Sequence, residues 1–239
     1  MDGFSYNNIF ETKGIEYLVI ILFFAILLPF WFILNKQNKI TKQIQETLGI
    51  LTAGVLKIPQ GLFYSKNHTW THLEKSGIAK IGLDDLLLRI TGEVQFAHLK
   101  KTGENVEKGE LIAEVNHHNR ILKVYSPISG EITGANALLT NEPGILNEDP
   151  YIRGWMYKVK PFDWVAETNT YYLAGDASDW SAKELDRFKD FLAVSMKKYG
   201  PDSSKVILQD GGELREHVLS ELPHEIWQDF QESFLNMND

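Results

Sequence analysis

The stretch EVNHHNRILKVYSPISGEI, residues 114–132, has the pattern of a tight β-hairpin. Two apolar strands flank a polar tip that consists of His117, His118 and Asn119. Similar alternations of apolar and polar residues, separated by turn signals, extend on both sides, and such alternation is typical of half-buried strands. The pattern therefore predicts a mainly β, sandwich-like or barrel-like module over residues 61–164. Within it, the run DDLLLRI, residues 84–90, predicts one short helix.

Composition narrows the classes of function. The chain has 239 residues, 44% of them hydrophobic, which is enough for a substantial core. It has no cysteine, so disulfides, thiolate metal sites, cysteine-bound iron–sulfur clusters and cysteine nucleophiles are excluded. The net charge of −8 resides after residue 164, where 15 acidic and 7 basic residues lie. Because nucleic-acid binding needs a basic stripe that displaces phosphate counterions, we predict no nucleic-acid partner.

An uncharged apolar run, YLVIILFFAILLPFWFIL, extends from Tyr17 to Leu34. Its length matches the roughly 30 Å hydrocarbon core of a bilayer, so it predicts a single-pass transmembrane helix; a buried helix of a soluble protein is the alternative. Lysines at positions 36, 39 and 42 follow it, and this bias places the C-terminal side in the cytoplasm. The expected location is thus the cell inner membrane, with the lipid bilayer as a partner. Apolar positions from Ile40 to Val55 recur at helical spacing and predict a short amphipathic continuation.

Five motifs in the β module together resemble the glycine cleavage system H protein family, in the same order and at nearly the same spacing. The resemblance covers about one hundred residues, and several motifs in register are far more specific than any one alone. The motifs are YSKNHTW (64–70), IGLDD (81–85) followed by GEVQF (92–96), VEKGELIAEV (106–115), YSPISGEI (125–132) and LNEDPYIRGWMYKVKPFDW (146–164).

The resemblance implies a lipoyl-type fold, a flattened β-barrel of the barrel-sandwich hybrid class. In the family, such a fold offers a modified lysine on a hairpin tip, and its lipoyl arm carries an aminomethyl group between partner enzymes. The family's lysine lies eight residues before the proline of the YSP element, and in this sequence that position is Asn119. An asparagine amide has no basic lone pair with which to form the lipoyl amide bond. We therefore predict that the chain carries no cofactor.

Two alternative interpretations assign a chemical role to residues of this hairpin. A lipoyl or acyl group could be attached to another lysine, of which Lys123 is the nearest, although it lies on a strand flank and not in the turn. The adjacent His117 and His118 could instead serve a metal or an enzymatic reaction. Consecutive residues of a strand point to opposite faces, so joint chelation is awkward, and an exposed polar turn is the simpler interpretation. We predict no metal site and no catalytic residue.

Other polar residues of the motifs favour structural roles. His68, in NHTW, is expected to fix the fold near Trp70 and not to act in catalysis. Glu148 and Asp149, in LNEDPY, suggest acid–base chemistry, but Asn, Asp and Pro in sequence favour a turn whose side chains bind the local backbone.

Residues 165–239 follow the family-like part and form an acidic helical extension. Ser181 and Glu184 predict a capping box at the start of a helix, and residues 200–201, Gly-Pro, predict its end. Two further helices are predicted at GELREHVLSEL (212–222) and PHEIWQDFQESFL (223–235), with Pro223 in the first helical position. Trp227, Phe230 and Phe234 form an aromatic stripe, for which we expect partner binding; simple core packing has equal weight.

The sequence thus predicts three parts: a transmembrane anchor with its juxtamembrane helix (residues 1–60), an H-protein-like β domain (61–164) and the extension (165–239). The predicted function is non-catalytic. The chain is expected to be a membrane-tethered binding or scaffold subunit whose partners are unknown protein subunits of a membrane-associated complex. The carrier hypothesis, with modification at another lysine, remains the alternative.

Overall fold

The structure is a computed structural model that describes residue 14 and residues 16–31, 49–199 and 214–235. The chain divides into two compact units, Met1–Leu48 and Gly49–Asp239. In the first unit, residues 16–31 form a helix, α1, with exposed side chains. Among the described residues, no helix has both the length and the apolar character needed to cross a membrane. The end of the predicted span, residues 32–34, the three lysines after it and the predicted helical residues 40–48 lie outside the described part of the chain.

The second unit is mainly β, as predicted. Its largest sheet has six strands in the order β2-β3-β4-β10-β9-β6, and a three-stranded sheet has the order β5-β7-β8. All of these pairings are antiparallel. The strands are β2 (Phe63–Tyr64), β3 (Thr69–Leu73), β4 (Ala79–Leu83), β5 (Gln95–His98), β6 (Asn105–Val106), β7 (Leu111–His117), β8 (Arg120–Tyr125), β9 (Gly130–Ala135) and β10 (Trp155–Pro161).

One hydrophobic core joins the two sheets to the helices. Ile81 and Val159 of the larger sheet share it with Val115 and Leu122 of the smaller one, and all four are buried. Burial of each such side chain contributes about 1.5–3 kcal/mol. The alternation of buried and exposed positions along β8 shows why the sequence pattern identified this strand.

The predicted helix at DDLLLRI is confirmed as α2 (Asp85–Thr91). The Asp84 side chain caps it by accepting a hydrogen bond from the Leu87 backbone N–H at 2.8 Å. Gly92 ends it at φ +76°, a backbone conformation that glycine adopts without strain. Three shorter helices follow later in the chain: α3 (Leu138–Asn141), α4 (Ile145–Glu148) and α5 (Trp164–Thr168).

The long helix of the extension, α6 (Ala174–Tyr199), starts seven residues before the capping box predicted at Ser181. That prediction is wrong, because Ser181 and Glu184 are both buried inside the helix. The first turns of α6 bury Ala177 and Trp180 in a second apolar cluster with Tyr64 and Trp70. This packing extends the helix beyond the start that the local pattern indicates. The predicted apolar stripe is buried in the main core at Leu185, Phe188, Leu192 and Met196.

The C-terminal part differs from the two predicted helices. Leu214–Arg215 is a strand, β11, which pairs antiparallel with β1 (Ile50–Leu51), and Val218–Glu221 is a 3₁₀ helix. The last helix in the described part of the chain, α7 (His224–Asp229), continues as a π-helix over Phe230–Leu235. Pro223 precedes its first helical residue instead of occupying it. We call residues 224–235 the C-terminal helix.

The predicted boundaries at residues 60 and 164 are therefore not boundaries of compact units. Leu51, which the sequence pattern placed in a helix, belongs to β1, and Val55 lies in a turn of the same unit. The extension contributes Leu185, Trp227 and Phe230 to the same core as the sheets. Everything described after residue 48 belongs to one unit because its apolar surfaces are shared.

Candidate functional site

The hairpin tip is a two-residue turn between β7 and β8. His117 pairs with Arg120, and the two residues between them, His118 and Asn119, have φ values of +48° and +66°. Two positive φ values define the turn type that matches the twist of a β-hairpin, and asparagine is among the residues that tolerate this conformation. The Asn119 N–H donates a hydrogen bond to Asn116 Oδ1 at 2.9 Å. The predicted hairpin is confirmed, and Asn119 is well suited to its backbone position.

The two histidines of the tip have different surroundings. The His117 Nδ1–H donates to the Glu93 carbonyl oxygen at 2.7 Å, and its ring stacks on Trp227 with a centroid distance of 5.8 Å. His118 is exposed, and its ring meets that of His117 edge-on at 4.4 Å. Within the described ranges, no group of three or more His, Cys, Asp or Glu residues is placed to hold a metal. His117 is thus committed to contacts inside the protein.

A groove of about 530 Å³ lies beside the tip. Glu93, Val94 and Gln95 form one wall, residues 116–119 form another, and Pro143 and Gly144 complete it. Side chains of mixed polarity line this groove, and Asn119, at the position that the family resemblance assigns to the modified lysine, is at its edge.

The chain's own C-terminal part lies along the outer side of β8. Arg120 Nη1 donates to the Ser220 carbonyl oxygen at 2.7 Å, and its guanidinium lies 5.8 Å from the centre of the Trp227 ring. The Lys123 backbone N–H donates to Gln231 Oε1 at 2.6 Å. Because β8 is at the edge of the three-stranded sheet, these contacts cover an edge that would otherwise offer backbone groups to another strand.

The aromatic stripe predicted to bind a partner is part of the core. Trp227, Phe230 and Phe234 are 1%, 0% and 1% exposed. Phe230 and Phe234 stack at 4.8 Å and both contact Phe188 of α6. The expectation of a partner-binding surface is corrected here, since the stripe faces the β module and has no surface left for another protein.

Lys123, the alternative carrier residue, has an exposed side chain on β8 opposite Glu114. Its position on the strand flank is as predicted. Asp149, for which a turn was predicted, accepts a hydrogen bond from the Ile152 N–H at 3.1 Å through Oδ1, which confirms the turn.

His68 forms a second polar cluster, away from solvent. Its Nδ1 lies 2.8 Å from Asp84 Oδ2, and its Nε2 lies 3.5 Å from Glu184 Oε2. Burial alone would lower the pKa of this histidine, but Asp84 and Glu184 raise it to about 9. The ring is therefore protonated at neutral pH. The structural role predicted for His68 is consistent with this burial. The sequence analysis assigned Glu184 to a capping box, and no signal indicated its contact with His68, 116 residues away.

Comparison with known proteins matches residues 62–181 to a family model described as glycine cleavage H-protein. The probable glycine cleavage system H protein of Thermococcus kodakarensis is 33% identical over 112 residues, which are 47% of this chain and 83% of that protein. The glycine cleavage system H protein of Thermus thermophilus is 35% identical over 108 residues, 45% and 84% of the two chains.

Among solved structures, a glycine cleavage system H protein from Mycobacterium marinum covers 52% of this chain and 98% of its own, with 25% identity and a TM-score of 0.46. The family match ends at residue 181. Glu184 and the C-terminal helix therefore lie outside the matched region.

Proposed function

The chain belongs to the glycine cleavage H-protein family, and from this premise we propose that it is a member that has lost the carrier lysine and acts as a non-catalytic binding subunit. The observation that carries the proposal is the hairpin tip. Its turn contains His118 and Asn119 and no amine, and the family resemblance assigns the modified lysine to position 119. Asn119 has the left-handed backbone conformation that a two-residue hairpin turn requires, and this fit supports a structural role.

The surroundings of the tip support the same proposal. Here Trp227 and Ser220 contact one flank of the tip through His117 and Arg120. Gln231 caps the neighbouring strand edge. We infer that any partner binds the module from its remaining exposed surfaces and holds it in place, as a scaffold does.

The test is the intact mass of the protein after co-expression with a lipoyl ligase and lipoate. We expect wild-type chain without an adduct, because an asparagine amide does not form the lipoyl amide bond. Asn119→Lys supplies an exposed amine at the turn and is expected to gain the adduct in the same cells. It serves as the positive control for ligase activity.

Lys123→Arg tests the alternative hypothesis, a carrier that is modified at Lys123. If wild-type protein carries an adduct and Lys123→Arg loses it, the chain is a carrier modified at Lys123 and our proposal is wrong. An adduct that survives in Lys123→Arg would place the modification on a further lysine, with the same consequence.

We also propose that residues 17–34 anchor the protein in the inner membrane, with the β module on the cytoplasmic side. The uncharged run and the lysines after it support this proposal. A membrane-bound scaffold would recruit its partner subunits to the bilayer surface.

A further inference from the structure

The C-terminal helix contacts two histidines of the β module. Trp227 lies in the α-helical part of this element and Phe234 in its π-helical part. Trp227 stacks on His117 at the hairpin tip with an interplanar angle of 12°, and Phe234 stacks on His68 at 5.5 Å with an angle of 11°. One element thus contacts both the buried His68 and the tip.

Charged groups of alternating sign surround His68. Asp84, the N-cap residue of α2, faces Nδ1, and Glu184 of α6 faces Nε2. Arg187, also on α6, donates to Glu184 Oε2 through Nε at 2.8 Å, and its guanidinium lies 3.7 Å from the centre of the Phe234 ring. The rings of Trp180 and Phe234 are both within 5.5 Å of the imidazole and exclude water from it.

Two further titratable groups lie nearby: Tyr64 of β2, whose ring lies 6.3 Å from that of Trp180, and Tyr151, whose ring lies 6.4 Å from that of Tyr64. Burial raises the pKa of both hydroxyls, so Tyr64 and Tyr151 stay uncharged at neutral and mildly alkaline pH. Burial opposes ionisation of Glu184, but His68 and Arg187 outweigh it and lower the pKa of that carboxyl, so it stays charged. His68 is the group in this cluster that changes charge between neutral and mildly alkaline pH.

We propose that the His68 imidazolium is a latch that holds α6 and the C-terminal helix on the β module, and that its deprotonation frees the C-terminal helix from the hairpin tip. A neutral imidazole has one N–H, which Asp84 takes. Its other nitrogen then presents a lone pair to the Glu184 carboxylate, and two acceptors face each other in a dry site. The contacts of Trp227 with His117 and of Gln231 with the Lys123 N–H are lost when the helix leaves.

The direction of the pH effect follows from the raised pKa of His68. Its stabilising effect on the latched state is complete below the ordinary value of about 6.5 and disappears as pH rises through about 9. If the released state restores the ordinary pKa, the equilibrium constant for release rises about tenfold per pH unit between these limits and is constant above them. The C-terminal helix is therefore released most rarely from the His117 flank of the tip at or below neutral pH, and more often in alkali.

The experiment measures amide hydrogen exchange of residues 224–235 in the full-length chain from pH 6 to 10, corrected for the intrinsic pH dependence of exchange. Wild type is expected to lose protection about tenfold per pH unit between 6.5 and 9. Histidine NMR of the same sample is expected to show one ring that titrates near pH 9. These measurements need no variant, so they test the latch even if substitutions impair folding.

Two variants and one control complete the test. His68→Gln keeps a donor for Asp84 but never ionises, so exchange of the C-terminal helix should be faster at pH 7 and independent of pH. Glu184→Gln should lower the midpoint of the His68 titration by about one pH unit, since it removes a carboxylate beside the ring. His72→Gln changes an exposed histidine on β3, and the C-terminal helix of this variant should exchange as in wild type.

A flat exchange profile in wild type, or a buried histidine that titrates near 6.5, overturns the latch. The proposal does not depend on the fate of the tip lysine. A lipoyl adduct on the wild-type chain would defeat the proposed scaffold function and leave the latch intact, whereas a flat profile would do the reverse.

Discussion

Asn119 occupies a position that is constrained by its backbone as much as by its chemistry. At φ +66° a β-branched side chain crowds its own backbone, whereas glycine and asparagine are accommodated. A lysine there keeps an unbranched Cβ and is tolerated at moderate cost. The residue type at the tip therefore reports on chemistry and on turn geometry together.

We predict that Asn119→Val lowers the free energy of unfolding by about 1–2 kcal/mol, because it forces a β-branched residue into the left-handed region. Asn119→Gly is the matched control and should leave stability within about 0.5 kcal/mol of wild type. Urea denaturation monitored by tryptophan fluorescence measures both. Equal stability of the valine and glycine variants would mean that the turn changes its conformation and that the tip is not rigid.

At the scale of the element, the C-terminal helix explains how the module protects β8. An edge strand with free backbone groups invites pairing with another chain. Here the Gln231 side chain accepts a hydrogen bond from the Lys123 backbone N–H, and the Ser220 carbonyl oxygen accepts one from the Arg120 side chain. Glu216, just before the 3₁₀ helix, forms an ion pair with Arg89 of α2, which in turn contacts Asp85 at 2.7 Å. These contacts attach the extension to the module at several separate places.

We predict that Trp227→Ala lowers the free energy of unfolding by about 3–5 kcal/mol, since it empties a fully buried site and removes the hydrogen bond from Nε1 to the Leu219 carbonyl oxygen at 2.6 Å. Val194→Ala, on the exposed side of α6, is the control and should change stability by less than about 0.5 kcal/mol. Denaturation of both variants under identical conditions gives the comparison. If Trp227→Ala left the free energy of unfolding nearly unchanged, the aromatic stripe would be exposed and not part of the core.

Local sequence signals predicted the hairpin, α2 and the buried stripe of α6, because the spacing of apolar residues and the capping residues depend on a few neighbouring positions. They did not predict β1 and β11, which are two residues each and pair across more than 160 positions. The capping box at Ser181 misled because tertiary packing of Trp180 outweighed a signal of about 1 kcal/mol. The contact between His117 and Trp227, on which the covered tip depends, is of the same long-range kind.

At the scale of the whole molecule, the proposed anchor makes a prediction about topology. Protease added to intact cells should leave the β module uncut, because the proposed anchor and the lysines after it would place the module inside. A chain that lacks these residues is the control and should appear in the soluble fraction. Cleavage within the module in intact cells would contradict the orientation, and a soluble full-length chain would contradict the anchor itself.

The pairing of β1 with β11 also sets the order in which the protein can complete itself during synthesis. Ile50 leaves the ribosome early, but its partner Arg215 is made 165 residues later. At roughly 5–20 residues per second, the first strand waits on the order of ten to thirty seconds for the strand that closes the unit. Throughout that interval Leu51 has no partner strand, so β1 completes its pairing only after nearly all of the unit has been made.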